Sequence, residues 1–291
     1  MFRNTEDYNR GFNCFAIALF QTDSTGLCES FMSTHTHQVI QTTAPADFMY
    51  CFRKSYSMYF NNKYQRNGKL GEVHHFSMEI SGYHHLIAAM SYTLRNAVHH
   101  GVAPIPYAYP HCSANAIFRK DMGKFVDERM LPEKSYYRYI GRRATFPSDY
   151  KMNENGVFIR ESVLDIPQVE NLFVSPRAFN YYMSRKSSEE WEAEQTKDNN
   201  RTPIINLSSI EDGIHIQSLD KMLIFENGKA DYRKISDIEL CTQLDQLAKT
   251  VYNRKSVYQL TRHEKEKIAE QLYRKHHLSE SQIRRGLAFP K

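Results

Sequence analysis

A chain of 291 residues with 41% apolar side chains holds enough hydrophobic material for a real core, which excludes a disordered polymer. No stretch approaches the roughly 18 consecutive apolar residues of a membrane-spanning helix, and Met1-Phe2-Arg3-Asn4-Thr5-Glu6-Asp7 lacks the basic start and apolar run of a secretory signal. The net charge of +5 is unevenly spread: residues 1–186 carry 21 basic against 16 acidic side chains, residues 187–251 carry 7 against 13, and residues 252–291 carry 10 against 4.

A basic front and a short basic tail flanking an acidic middle suggest two surfaces for a polyanion, with nucleic acid the natural candidate. The plainer reading of a charge run is a solvated face, and it suits the acidic middle best. The five cysteines (Cys14, Cys28, Cys51, Cys112, Cys241) are odd in number and contain no CxxC pair, so neither a zinc ribbon nor a disulfide framework is indicated. Buried thiols in a reducing cytoplasm are the expectation, with no membrane partner.

In chain order, Asn4 or Thr5 caps an amphipathic helix carrying Phe12, Phe15, Ala16, Leu19 and Phe20, broken at Thr22 to Gly26. Leu27 to Phe31 and His37 to Gln41 read as strand, either one or two. Pro45 opens a helix with Phe48, Cys51, Phe52, Tyr56, Tyr59 and Phe60 on one face. Asn61 to Leu70 is a polar turn region, and Val73 to Ile80 reads as a further strand. Ser81-Gly82 opens a long helix to about His99, with Leu86, Met90, Leu94 and Ala97 or Val98 as its apolar stripe. Ala103 to Tyr109 is an extended loop, Ala114–Lys120 a short element, Arg142-Arg143 a basic spot, and 154–186 strand then helix. Ser187 to Arg201 reads as the most exposed stretch. In the tail, Thr261 and Glu264 form a capping box for a helix through Leu272, and Ser279 caps a second containing Ile283 and Leu287. Two short helices joined by a tight turn fit either a helix-turn-helix, with Gln282, Arg284 and Arg285 exposed, or an ordinary helical hairpin.

The chemistry centres on His35-Thr36-His37. On a strand, alternate side chains share a face, so both imidazoles can reach one metal ion. On the later helix, Tyr92 and Asn96 lie one turn apart and also share a face. Thirteen histidines invite over-reading, and a histidine chosen at random is more often a hydrogen-bonded side chain than a ligand. Tyr92 likewise is one of nineteen tyrosines, most of which belong to cores.

Over roughly its first 118 residues the chain resembles the HUH single-tyrosine transposases, in particular the REP-associated and insertion-sequence group. The stretches that carry the likeness are Phe2-Arg3-Asn4-Thr5-Glu6-Asp7-Tyr8, Phe31-Met32-Ser33-Thr34-His35-Thr36-His37, Tyr59-Phe60-Asn61, Asn67-Gly68-Lys69-Leu70 with Phe76, and Ala88-Ala89-Met90-Ser91-Tyr92-Thr93-Leu94-Arg95-Asn96. Their order, and the 55 positions from His37 to Tyr92, make it specific. The resemblance implies that His35, His37 and Asn96 coordinate Mg²⁺ or Mn²⁺. It implies that Tyr92 attacks a phosphodiester of single-stranded DNA, leaving a 5′-phosphotyrosine link and a free 3′-OH. The chain departs from the family in having Thr36 where a bulky apolar residue usually stands, Thr34 where Asn or Asp precedes the first histidine, and Gly71 where an aromatic follows the Gly-x-Leu motif. It also begins where relatives have a further strand.

The expected fold is therefore α+β: a ferredoxin-like antiparallel sheet flanked by helices (the HUH nuclease fold) over residues 1–120. A mixed extension over 121–250 follows, then a basic tail over 251–291 containing the helix-turn-helix, in which Gln282, Arg284 and Arg285 contact DNA. The expected function is a transposase-like single-stranded DNA nickase and strand transferase recognising a hairpin or repeat, cytoplasmic and nucleoid-associated. Two alternatives are a catalytically silent DNA-binding protein with the same fold and a rolling-circle replication or relaxase-type nickase.

Overall fold

Thr25–Phe31 (β1) and Thr36–Gln41 (β2) pair as an antiparallel hairpin, with Ser30 opposite His37 and Phe31 opposite Thr36. The computed structural model describes residues 2–71, 75–124, 128–184, 225–226, 229–230, 235–276 and 278–289. The histidine stretch is thus divided between a turn and the second strand. Residues 32–35 form that turn, closed by the Met32 N–H donating to the His35 carbonyl at 2.8 Å. The register shifts between Gly26 and Cys28, an irregularity of the kind that increases local twist.

The strand β1 is buried along nearly all its length, so its second edge cannot be left unpaired. Irregular segments seal it. Phe31 N–H donates to the His111 carbonyl at 2.8 Å and Asp165 N–H to the Gly26 carbonyl at 2.9 Å. The Ser113 hydroxyl accepts from Glu29 N–H at 2.9 Å and donates to the Glu29 carbonyl at 3.2 Å. Segments 111–113 and 164–165 stand where a larger sheet would have strands. Residues 75–80 have neither helix nor strand, in contrast to the strand expected from Val73 to Ile80; positions 73 and 74 lie outside the described residues. Phe76, in that segment, stays 45% exposed, so it lacks the buried face that would hold it to a sheet.

Helices cover this hairpin. Among the described residues they are α1 (Thr5–Gln21), α2 (Pro45–Tyr64), α3 (Tyr83–His99), α4 (Tyr137–Ile140), α5 (Arg160–Val163), α6 (Ile166–Phe173), α7 (Pro176–Ser184), α8 (Asp237–Thr250), α9 (Arg262–His276) and α10 (Glu280–Gly286). A two-residue pair, β3 (Phe225–Glu226) with β4 (Lys229–Ala230), completes a mixed α+β fold. The expected exposed stretch Ser187 to Arg201 lies outside the described residues. None of the described helices is long and apolar enough to cross a membrane.

Capping explains where the helices begin. Asn4 Oδ1 accepts from Asp7 N–H at 3.0 Å to start α1, Pro45 sits in the first turn of α2, and α3 starts after Gly82, whose φ of 84° suits glycine. In the tail, Thr261 and Glu264 exchange bonds of 2.6 and 3.3 Å at the head of α9, and Ser279 accepts from Gln282 N–H at 3.3 Å at the head of α10. Sequence reading missed α8, although Ser236 and Glu239 form a full capping box ahead of Leu240, Cys241, Leu244 and Ala248.

One aromatic-rich core runs from Phe2 to Met183, and a second gathers Leu240, Leu244, Val257, Ile268, Ile283 and Leu287. Two polar clusters organise the region between them. The first is centred on Asp7, fully buried, whose Oδ2 accepts from Arg3 N–H (2.9 Å) and Tyr64 O–H (2.7 Å). Its Oδ1 accepts from Tyr59 O–H (2.9 Å) and Lys63 Nζ (2.7 Å). The second ties the tail to the hairpin. Ser33, in the β1–β2 turn, donates to Asp237 Oδ2 at 3.0 Å, and Arg285 donates to the same carboxylate at 3.1 and 3.3 Å. Nearby, the Arg3 guanidinium pairs with Asp245 at 2.9 Å and donates to the Gly286 carbonyl at 3.0 Å.

Candidate active site

The β1–β2 hairpin and α3 bring together four residues spread over 62 positions, 35 to 96. Helix α3 is buried nearly all round, with Met90, Leu94 and Ala97 inaccessible and Tyr92 and Asn96 also buried. Its Tyr92–Asn96 face lies against the hairpin end that carries both histidines. His35 Nε2 lies 3.1 Å from Asn96 Oδ1. The His35 and His37 rings meet edge to face with centroids 4.9 Å apart, and His37 meets the Tyr92 ring in the same way at 5.2 Å. His35, His37, Tyr92 and Asn96 therefore form one group.

Two further side chains extend it. His100, one turn beyond Asn96, stacks edge to face on His35 with centroids 5.3 Å apart, and Thr34 Oγ1 lies 2.9 Å from His35 Nδ1. From sequence, His100 carries no assigned role, and Thr34 stands out only as a departure from the family pattern. The Asn96–His100 spacing of one helical turn was a usable signal for the first, and adjacency to His35 for the second.

Burial sets the electrostatics. It is the largest influence on His35, whose pKa is driven well below the usual imidazole value, with His37 and His100 adding to the effect. His37 is lowered to about 3, chiefly by burial and then by His100 and His99. His100 is lowered to about 4 by burial and by His99. All three rings are neutral at physiological pH, so each retains an in-plane lone pair able to bind a metal or accept a proton.

Polar groups in this cluster are incompletely satisfied. His37 Nε2 and Asn96 Nδ2 are sealed from solvent and find no hydrogen-bond partner among the described residues. Each such group costs about 1–3 kcal/mol of desolvation, and buried groups of this kind are uncommon in a fold.

The tautomer of His35 is open to exchange. With Asn96 Oδ1 as acceptor, Nε2 carries the proton and Nδ1 accepts from the Thr34 hydroxyl. A hydroxyl both donates and accepts, so Thr34 can instead accept from Nδ1–H, which turns the Nε2 lone pair towards Asn96 Oδ1 and is favourable only with a cation between the two.

The tail residues sit differently from expectation. Of Gln282, Arg284 and Arg285, expected to face solvent, only Arg284 is exposed; it pairs with Glu280 at 3.5 Å. Gln282 is buried and its amide donates to the Ile235 carbonyl at 2.8 Å. Arg285 is largely covered by its pair with Asp237. Packing of α10 on α8, which sequence reading missed, is the physical reason.

Among the described residues no three His, Cys, Asp or Glu side chains are placed to hold a metal ion. A surface groove lined by Tyr83, Asp165, Gln168, Leu172 and Val174 shares no residue with this cluster. Comparison with family models, with curated proteins and with solved structures returns no match for this chain.

Proposed function

We propose that the chain is a metal-dependent strand transferase that cleaves and rejoins single-stranded DNA through Tyr92. The observation that carries this reading is the meeting of His35, His37, Tyr92 and Asn96 at one end of the hairpin, with a buried, neutral and unpartnered nitrogen on His37.

The residues present fit a divalent cation of the Mg²⁺ or Mn²⁺ kind. Two neutral imidazoles and an amide oxygen make a donor set without a carboxylate, which favours Mn²⁺ over the oxygen-seeking Mg²⁺. Two ligands at right angles on an ion with bonds of about 2.1 Å stand roughly 3.0 Å apart, close to the 3.1 Å between His35 Nε2 and Asn96 Oδ1. His35, His37 and Asn96 would hold the ion, and Thr34 would orient His35 from behind. When bound, such a cation polarises a phosphate oxygen and offsets the charge that develops on it.

In the proposed reaction the Tyr92 oxygen forms a bond to phosphorus and the bond to the 3′ oxygen breaks. The upstream piece leaves as a 3′ oxyanion that takes a proton from water to become a free 3′-OH, and the downstream piece stays on Tyr92 through its 5′-phosphate. The phenol proton passes to a neighbouring base or water. Reversal by another 3′-OH rejoins the strand without an external energy source. Under this reading the hairpin, α3 and the segments sealing β1 are a reduced version of the HUH sheet, and α9–α10 is a helix-turn-helix in a nucleoid-associated protein.

A second reading, a DNA-binding protein that keeps the fold without turnover, is favoured by burial: Tyr92 retains 8% and His35 9% of their surface. Incubation with single-stranded hairpin oligonucleotides and Mn²⁺ separates the two. A covalent adduct in wild type that is absent in Tyr92→Phe supports the strand transferase. Binding to the same oligonucleotides with no adduct supports the silent protein.

A further inference from the structure

The stretch Tyr136-Tyr137-Arg138-Tyr139-Ile140-Gly141-Arg142-Arg143 alternates two chemistries. Tyr136 and Ile140 are buried and anchor it: Tyr136 stacks near Phe146 and Phe158 with centroids 5.6 and 5.9 Å away, and its hydroxyl accepts from Met152 N–H at 3.1 Å. The Ile140 carbonyl accepts from Arg10 at 3.0 Å. Around these anchors, Tyr137 and Tyr139 keep 39% and 36% of their surface exposed.

Both exposed rings rest on a neighbour on one side. Tyr137 leans on Phe146 with centroids 5.9 Å apart. Tyr139 lies so close over Gly156 that a Cβ added there would overlap its ring. Arg138, Arg142 and Arg143 are exposed and have no acidic partner among the described residues. Over residues 133–151 the basic side chains number five (Lys134, Arg138, Arg142, Arg143, Lys151) and the acidic ones two (Glu133, Asp149).

The tail offers the opposite case. In α9 and α10, Arg262, Arg274, Arg284 and Arg285 each pair with an acid, at 2.8, 2.8, 3.5 and 3.1 Å. Exposed pairs of this type are worth only about 0.3–0.5 kcal/mol, so a phosphate can recruit Arg284. Recruiting Arg285 would strip a buried carboxylate of its counter-ion.

We propose that Tyr137, Tyr139, Arg138, Arg142 and Arg143 form a docking surface for single-stranded nucleic acid. Exposed aromatic faces stack on bases that a duplex keeps covered, and unpaired guanidiniums meet the phosphates between them. The proposal rests on the nucleic-acid reading above for its class of partner, but not on turnover at Tyr92.

The test uses the full chain in chelator-containing buffer, with an oligothymidylate, the matching RNA, a DNA duplex and anionic vesicles as probes. The double variant Tyr137→Ala/Tyr139→Ala should bind the single strand roughly tenfold or more weakly for each ring, while Tyr137→Phe/Tyr139→Phe, which keeps the rings, should bind as wild type. Removing Arg138, Arg142 and Arg143 should flatten the dependence of log affinity on log salt by about 2. Equal binding of DNA and RNA strands supports recognition through bases and phosphates. Unchanged affinity and salt slope in melting-matched alanine variants would overturn the proposal, as would a duplex or vesicle bound as tightly as the single strand. The two readings fail separately. Binding with no adduct in wild type removes the strand transferase and leaves this surface, whereas an adduct formed equally by wild type and the alanine variants does the reverse.

Discussion

Asp7 and His37 both bring polar atoms into the interior, and the two clusters around them are built on opposite terms. Every lone pair of the Asp7 carboxylate is met, by Arg3 N–H, Tyr59, Lys63 and Tyr64, at 2.7–2.9 Å. Around His37, the imidazole Nε2 and the Asn96 amide nitrogen find nothing among the described residues. A saturated cluster has no remaining capacity for a ligand and holds α1 to α2. An unsaturated one lowers stability and leaves hydrogen-bonding valences unused. Buried polarity alone therefore does not mark a site.

The largest effect should come from breaking the saturated cluster. Asp7→Ala leaves the Lys63 ammonium without its closest buried counter-charge and three other donors unmatched, and should cost about 3–5 kcal/mol; a denaturant midpoint near that of wild type would refute the contrast. Filling the unsaturated cluster should work the other way. Mn²⁺ at a hundred times its dissociation constant should stabilise wild type by about 2.7 kcal/mol, a gain absent in His37→Leu and Asn96→Leu. Identical metal-induced melting shifts in all three proteins would count against the assigned ligands.

Acid should also separate the clusters. His37 and His111 are held near pKa 3 and His100 near 4, in each case first by burial, whereas the unfolded chain takes up these protons below about 6.5. The folded protein binds fewer protons over that interval. Stability is thus fully present above pH 6.5 and is lost as the pH falls towards 4, by up to about 1.4 kcal/mol per pH unit for each imidazole. Glu29, pushed up by burial against the opposing pull of Arg160, acts with the opposite sign and recovers a part of the loss. A melting temperature flat from pH 7 to pH 5 would contradict this. The smallest effect is expected from His37→Leu in the absence of metal: removing a ring with an unpartnered nitrogen should change stability by no more than about 1 kcal/mol, because apolar replacement of an unsatisfied group is nearly neutral.

Local chemistry was legible and long-range pairing was not. Asn4, Pro45, Gly82, Thr261 and Ser279 begin helices because capping and turn preferences act within four residues, and these starts match the sequence reading. The meeting of Tyr92 and Asn96 on one face could be anticipated from helix periodicity, whereas His35 joins His37 from the turn rather than through the strand alternation expected. Nothing local reveals that β1 is sealed by residues 111–113 and 164–165, or that Glu29 pairs with Arg160 across 131 positions. Gln282 illustrates the cost: on an isolated α10 it reads as an exposed polar residue, and only the packing of α8 turns it inward to the Ile235 carbonyl.

The Ser33–Asp237–Arg285 clasp bears on how this molecule could be taken apart or rebuilt. The turn that presents His35 is fastened to α8 and α10 through a shared carboxylate, and the Tyr64 carbonyl accepts a further bond of 2.7 Å from Ser256. The tail is thus not an interchangeable cassette. A graft that replaced it would need to bring its own acceptor for Ser33 and its own anion for Arg3, or the turn at His35 would lose its outer support.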